Sequence, residues 1–390
     1  MEFAGSLGDL GTLLPLAMGM ILINGLHPGG VFFCIGVFYI LSGLFFGVTT
    51  PVQPMKVIGA YAIATSLSAS QIMAASLLMA ILLAVIGVSG VIDWLARRIP
   101  KAIIRGIQLS TGLLLMTKGI KCMVGTSSLQ LLEKSVEPYL RFQAVGPVAI
   151  GIPLGVLGVA LTLFLLNNRK LPASLAVIGL GLLVGIAIGR HQGFESFGIR
   201  VGLTPLLPFG FPDKLDFTFA FFALVLPQTP MTVGNAVLAN ADLANTYFGP
   251  EARRVTGKAL CISMALANVM AFLFGGIPMC HGAGGLAAHY RFGARTAGSN
   301  LMIGGLMLLA ALLFSDHLMA LFHLIPFAVL GVLLLFAGGQ LALTITDLET
   351  RSELFVSVVM LGVTLATNLA YAFCAGLLLF WIIRRQNLEV

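Results

Sequence analysis

Two stretches decide how this sequence folds: Thr49-Thr50-Pro51-Val52-Gln53-Pro54-Met55-Lys56 and Gly276-Ile277-Pro278-Met279-Cys280-His281-Gly282-Ala283-Gly284-Gly285. Each interrupts an otherwise apolar region. Pro51 and Pro54 remove backbone donors and cannot both sit inside a helix. The residues before them are pushed toward extended geometry. The first stretch therefore reads as an extended piece followed by a half-helix starting near Pro54. The second has the same plan around Pro278, with glycines where its half-helix begins. Non-helical backbone at membrane depth is tolerated only against protein or a water-filled cavity.

Composition places these stretches in a membrane. Of 390 residues, 58% are hydrophobic and only 9% charged, against about 25% charged in an average soluble domain. Mean hydropathy is +1.01. Up to fourteen apolar segments fall at about 7–24, 30–48, 54–68, 71–92, 103–120, 146–167, 172–189, 217–240, 258–275, 281–289, 299–315, 318–338, 354–368 and 369–383, with soft boundaries. The third and tenth are too short to span alone and follow the two proline stretches. The N-terminus carries Glu2 and Asp9 rather than a basic region, so the first segment reads as a retained helix and not a signal peptide. Five scattered cysteines without CxxC spacing read as reduced packing residues.

The net charge of +7 fits a positive-inside bias better than nucleic-acid binding, because no basic stretch is interleaved with aromatics. With the N-terminus cytoplasmic, fourteen of the 22 Lys and Arg residues fall in cytoplasmic loops, Arg97, Arg98, Arg169, Lys170 and Arg291 among them. Seven, including Arg200, fall outside, and Lys56 lies within a segment. The expected location is the cell (inner) membrane, with both termini cytoplasmic.

The chain also repeats itself. Ile99-Pro100-Lys101-Ala102 returns as Ile325-Pro326-Phe327-Ala328, and Phe46-Gly47 followed by Pro51 returns as Phe274-Gly275 followed by Pro278. Seven segments per unit is an odd number, so the second copy sits inverted in the membrane. The expected units are 1–193 and 194–390. Inverted repeats with broken helices at corresponding positions are a transporter signature.

The start of a half-helix presents unpaired N–H groups and partial positive charge. Two such starts facing one another make an anion site. Glycines at 282, 284 and 285 would let an oxyanion approach the backbone closely. Lys56 stands beside the first start and either meets the anion, snorkels or pairs with Asp9. His281 stands beside the second, as a ligand or as a packing histidine. Asp9, in Gly8-Asp9-Leu10-Gly11-Thr12, reads either as a helix cap or as a buried counter-ion or proton-coupling group. The eighth segment carries Pro227-Gln228-Thr229-Pro230-Met231-Thr232, then Asn235. A second opened helix is expected there, with Gln228, Thr229 and Thr232 as neutral donors; the alternative is helix–helix glue. Arg105, Lys118 and Lys121 read as interfacial anchors. No HExxH, GxSxG, Walker A or dinucleotide fingerprint occurs in the required context, so neither an enzyme nor a cofactor or metal site is expected.

Three motifs carry a resemblance. Gly8-Asp9-Leu10-Gly11-Thr12-Leu13-Leu14-Pro15, Pro51 through Lys56, and Cys280 through Ala287 continuing to Arg295 resemble the molybdate transporter family, a relative of the sulfate permeases, and the resemblance spans the whole chain. It implies an all-α polytopic membrane protein with the seven-plus-seven inverted-repeat transporter fold of uracil permease and the sulfate permeases. It also implies a core domain from segments 1–4 (about 5–92) and 8–11 (about 216–315), and a gate domain from segments 5–7 (about 100–190) and 12–14 (about 317–385). No soluble regulatory domain is expected. The implied function is secondary active transport of a tetrahedral oxyanion, molybdate first, by alternating access with proton coupling. Sulfate uptake by the same mechanism and a passive anion channel are the alternatives. A nucleobase carrier is disfavoured, since Gln228 and His281 stand where carboxylates are wanted. The expected substrate ligands are Thr12, Gln53, Lys56, Gln228, Thr229, Cys280, His281, Gly282, Ala283 and Gly284, with Asp9 and His281 as coupling candidates. The expected partners are the oxyanion, the lipid bilayer and, as an open option, a second copy of the chain.

Overall fold

The computed structural model describes residues 2–92, 100–166, 168, 171–191, 202, 204–315 and 317–386. Arg97, Arg98, Ile99, Arg169, Lys170, Arg200 and the expected repeat boundary at 193/194 lie outside the described residues. Fourteen principal helices are found among those described. The first seven are α1 (Leu10–Leu22), α2 (Pro28–Phe46), α3 (Lys56–Thr65), α4 (Ala69–Ser89), α5 (Lys101–Val124), α6 (Gly151–Leu165) and α7 (Ala173–Ile188). The second seven are α8 (Lys214–Ala252), α9 (Gly257–Phe274), α10 (Ala283–Phe292), α11 (Ala297–Phe314), α12 (Phe327–Ala342), α13 (Arg351–Ala366) and α14 (Leu369–Gln386). Among the described residues seven helices are long and apolar enough to cross a membrane by length and composition. The chain is a multi-pass membrane protein with a seven-plus-seven inverted repeat.

The two proline stretches behave as their chemistry dictates. α2 ends on Gly47 at φ 78° and α9 on Gly275 at φ 67°, the left-handed cap that glycine adopts without strain. The repeated Phe-Gly pair is thus a repeated helix stop. After each stop the chain runs extended. Strand β1 (Gln53–Pro54) pairs antiparallel with β2 (Met279–Cys280), Gln53 opposite Cys280 and Pro54 opposite Met279. The Met55 N–H donates to the Pro278 carbonyl at 2.8 Å. α3 and α10 then start, each ten residues long, or about 15 Å, half of the roughly 30 Å hydrocarbon layer.

Backbone groups that the two-residue strands leave over are taken by asparagines. Asn300 of α11, fully buried, accepts from the Thr50 N–H at 3.0 Å and donates to the Thr50 carbonyl at 2.7 Å. Asn268 of α9, also fully buried, accepts from the Met279 N–H at 3.1 Å and donates to its carbonyl at 2.8 Å. In lipid, where water cannot satisfy a stray amide, these clamps are what lets the strands exist.

Around this crossing α2 packs on α11 and α4 on α9. α5 packs on α12, α13 on α5 and α14, and α6 on α7 and α12. The α5–α12 contact is backbone against backbone: a Cβ at Gly331 would sit 2.5 Å from the Gly119 carbonyl, and one at Gly338 2.5 Å from the Gly112 carbonyl. Such close approach is how membrane helices gain packing energy without a hydrophobic driving force. The buried Glu137 carboxylate accepts from Phe327 N–H at 2.7 Å and Ala328 N–H at 2.8 Å, capping the α12 start.

Three expectations need correction. The eighth segment is not opened by its prolines. It runs as one helix, Lys214–Ala252, with π-helical stretches at Phe221–Val225 and Thr232–Ala239 on either side of Leu226–Met231. Wider turns absorb the missing proline donors that would otherwise break an α-helix. The twelfth segment is split: Leu318–His323 is a separate short helix, and α12 starts only after Pro326, because the residue before a proline resists helical geometry. Lys118 is not an interfacial anchor. It is buried, and its Nζ donates to Ser66 Oγ at 2.8 Å, at the C-terminal cap of α3, where a cation meets the negative helix end.

Asn300→Ala strips the Thr50 N–H and carbonyl of their partners, and each unsatisfied buried group costs about 1–3 kcal/mol. The purified variant in detergent is expected to melt well below the parent, and an unchanged melting temperature would refute the clamp. Gly338→Val is expected to lower stability by about 1–3 kcal/mol, the usual cost of overpacking, in the same assay.

Candidate functional site

α1, α3, α8 and α10 converge with α5, α6, α7 and α12 on a polar cavity of two lobes. The first, of about 340 Å³, is lined among others by Thr12, Lys56, Ser174, Gly284, Arg291 and Gln340. The second, of about 270 Å³, is lined among others by Lys56, Arg105, Gln108, Asn235, Gly284 and Gln340. Thr12, Lys56, Gly284, Ala337 and Gln340 belong to both lobes, so they form the partition where the lobes meet.

Lys56 is the first residue of α3 and Gly284 lies in the first turn of α10. The nearest heavy atom to a Cβ built at Gly284 is Lys56 Nζ, at 3.9 Å. Among the described residues Lys56 Nζ makes no hydrogen bond or ion pair, and neither the Ala283 nor the Gly284 N–H has an acceptor. One ammonium and one open helix start thus share the same wall of the cavity.

The remaining expected ligands stand behind this wall. Gln53, fully buried, donates through Nε2 to Asp9 Oδ1. Asp9, 1% exposed, precedes α1 but does not cap it with its side chain. Its Oδ2 has no hydrogen-bond partner, and neither has Gln53 Oε1. This pair explains two of the three glycines. A Cβ at Gly285 would sit 2.6 Å from Asp9 Oδ2, and one at Gly282 would run into Gln53 Oε1. Gly282 and Gly285 make room for the Asp9–Gln53 pair, and only Gly284 opens onto the cavity.

His281 is buried between Phe38 and Phe46, with ring centroids at 4.7 and 5.6 Å. Its Nδ1 bonds the Pro51 carbonyl at 2.8 Å and its Nε2 bonds Ser263 Oγ at 3.0 Å. A carbonyl only accepts, so Nδ1 carries the proton and Nε2 accepts from Ser263 in the neutral ring. Both nitrogens are engaged away from the cavity. Cys280 is buried with its Sγ toward the Pro54 carbonyl at 3.8 Å. Thr229 spends its hydroxyl on the Val225 carbonyl of its own helix at 2.7 Å. Gln228, 1% exposed, accepts through Oε1 from Val57 N–H at 3.0 Å and Ile58 N–H at 3.3 Å, and donates through Nε2 to Thr232 at 2.9 Å.

Several cavity residues escaped the sequence reading. Gln340 is the lone polar side chain in the apolar helix α12, which is a usable signal. Ser174, whose buried Oγ has no partner, gives no signal in sequence. Arg105, expected as an anchor, lines the second lobe and is held by Asp347 and, at 2.8 Å, by Gln108 Oε1. No group of three or more potential metal ligands occurs among the described residues.

Comparison with solved structures shows the fold. The transmembrane domain of a cyanobacterial bicarbonate transporter, BicA, matches with a TM-score of 0.68 at 16% identity, covering 96% of each chain. The murine Slc26a9 anion transporter in its inward-facing state matches with a TM-score of 0.69 at 15% identity, covering all of this chain and 69% of that one. In sequence, Arabidopsis thaliana Molybdate transporter 2 is 30% identical over 423 residues, covering 100% of this chain and 88% of its own. Chlamydomonas reinhardtii Molybdate transporter 1 is 28% identical over 470 residues, covering 96% and 90%. The family model described as molybdate transporter of the MFS superfamily matches residues 1–115 and 220–341. MFS halves carry six helices each, whereas the units here carry seven with crossed half-helices. The family model thus reaches both half-helices, and the relatedness runs the length of the chain: the protein belongs to the molybdate transporter family.

Proposed function

We propose that this protein takes up molybdate as a secondary active transporter, by alternating access with proton coupling. The observation that carries the reading is the shared wall of Lys56 and Gly284 on a polar cavity at the half-helix crossing, at a helix start whose Ala283 and Gly284 N–H groups are unpaired. A helix start with an adjacent ammonium is complementary to an oxyanion. Thr12, Ser174 and Gln340 line the same cavity and offer neutral donors around a tetrahedron. The relatives' names supply the choice of molybdate among such anions.

The geometry also suits alternating access. One side of the cavity comes from α1, α3, α8 and α10, and the other from α5, α6, α7 and α12. These are the core and gate sets, and movement of one against the other would open the site on either face.

Bringing a dianion into a negative-inside cell costs about 5 kcal/mol at 100 mV. A cation must therefore travel with it for accumulation. The unpartnered Asp9 Oδ2 lies against the first turn of α10. As a carboxylate it competes with the substrate for the same positive helix end, and a proton there removes the competition. Asp9 is thus the coupling group. His281, with both nitrogens engaged, packs the strand crossing.

Lys56→Ala is expected to weaken molybdate affinity about tenfold or more, the loss of one charged hydrogen bond, in uptake by proteoliposomes, with Lys56→Arg retaining part. Unchanged affinity in the alanine variant would sink the charge role. Asp9→Asn is expected to abolish accumulation driven by an imposed proton gradient while molybdate exchange continues; gradient-driven accumulation at the parent level would remove Asp9 from coupling. Excess sulfate is expected to compete poorly with labelled molybdate, and equal competition would make sulfate the better substrate assignment.

A further inference from the structure

The two half-helix starts are equivalent in sequence plan but are not equally open. The α10 start faces the cavity with unpaired N–H groups. At the α3 start, the carboxamide oxygen of Gln228 receives both the Val57 and the Ile58 N–H. Those are the second and third residues of α3, directly after Lys56. Gln228 is held in turn by Thr232 on the same helix, and it lines neither cavity lobe. Its oxygen sits where an anion would otherwise be bound at that helix end.

The arrangement crosses between repeats. Asp9, ahead of α1 in the first repeat, lies against the first turn of α10 in the second. Gln228, on α8 in the second repeat, lies against the first turn of α3 in the first. Each start therefore meets side-chain oxygen from the opposite repeat, the α10 start from the Asp9–Gln53 pair and the α3 start from Gln228. The α10 start faces an ionisable group, Asp9, with a free oxygen. The α3 start faces a neutral amide whose oxygen is already engaged.

We propose that Gln228 is a positioning residue that closes the α3 start with a neutral built-in acceptor, fixes the turn carrying Lys56, and so makes oxyanion binding one-sided, at the α10 start. This rests on the transport reading above and adds to it a reason for a neutral residue at this position. A carboxylate in its place would accept the same two N–H groups but would add a negative charge at the turn that carries Lys56. A missing side chain would leave the α3 start open to any anion. The charged groups sharing a cavity lobe with this part of α8 are Lys56 on α3 and Arg105 on α5.

The test is molybdate uptake by proteoliposomes holding the full chain as Gln228→Glu, Gln228→Ala or parent, at equal reconstituted amounts and across pH. Gln228→Glu preserves the two backbone bonds and tests charge alone. It is expected to raise KM about tenfold or more near neutral pH, from one unit charge placed beside Lys56, and to return toward the parent value as acidification protonates the new carboxyl. Gln228→Ala is expected to raise KM at every pH and to make uptake more sensitive to inhibition by chloride and sulfate. A Gln228→Glu protein with the parent pH profile and KM overturns the proposal, as does a Gln228→Ala protein with unchanged KM and anion selectivity. Loss of uptake in Gln228→Ala alone points to folding, and Gln228→Glu then decides. If the parent chain transports molybdate and Lys56→Ala weakens it while Gln228→Glu does not, only this inference fails and the transport reading stands.

Discussion

The structure depends on four residues of extended backbone, two from each repeat, paired in the interior of a membrane protein. Hydrocarbon does not tolerate an unsatisfied peptide group, so a broken helix at that depth exists only if something supplies its hydrogen bonds. Here the strands supply some of them to one another, and Asn268, Asn300 and His281 are among the residues that supply others. Once the strands are held, the half-helices must start at the crossing, and their positive ends must lie near each other. Every feature of the candidate site follows from that placement: the lysine at one start, the glycine at the other, and the acidic and amide side chains drawn in against them.

The sequence carried the plan of this arrangement with unusual clarity because proline and glycine act locally. Pro51 and Pro54, three apart, and Pro278 each remove a backbone donor within a few residues of a helix stop, and the Phe-Gly stops repeat because a left-handed cap favours glycine. Side-chain direction is not local. His281 and Cys280 stand at the right height in the membrane, yet they point into packing rather than into the cavity, because Pro51, Ser263, Phe38 and Pro54 reach them first. Gly282 and Gly285 suit the close approach of an anion by residue type, but the room they leave is filled by the Asp9 and Gln53 side chains. The prolines of α8 misled for a related reason: a π-helical turn is a tertiary accommodation that no local rule announces.

Electrostatically the site combines whole and partial charges. Lys56, Arg105 and Arg291 line the cavity beside one open helix start and several neutral donors, and the carboxyl of Asp9, with one oxygen unpartnered, stands one layer back.

The asparagine clamps also bear on how the protein is made. The bonds between Thr50 and Asn300 join residues 250 apart in sequence. A ribosome adding about 5–20 residues per second needs roughly ten to fifty seconds to supply that partner. Through that interval the first broken helix has neither its strand mate nor its clamp, and its peptide groups cannot rest in hydrocarbon. The first broken helix therefore cannot take its final place in hydrocarbon before the second half arrives. Neither repeat holds all the partners of the crossing, so the centre can assemble only after the second half has been made.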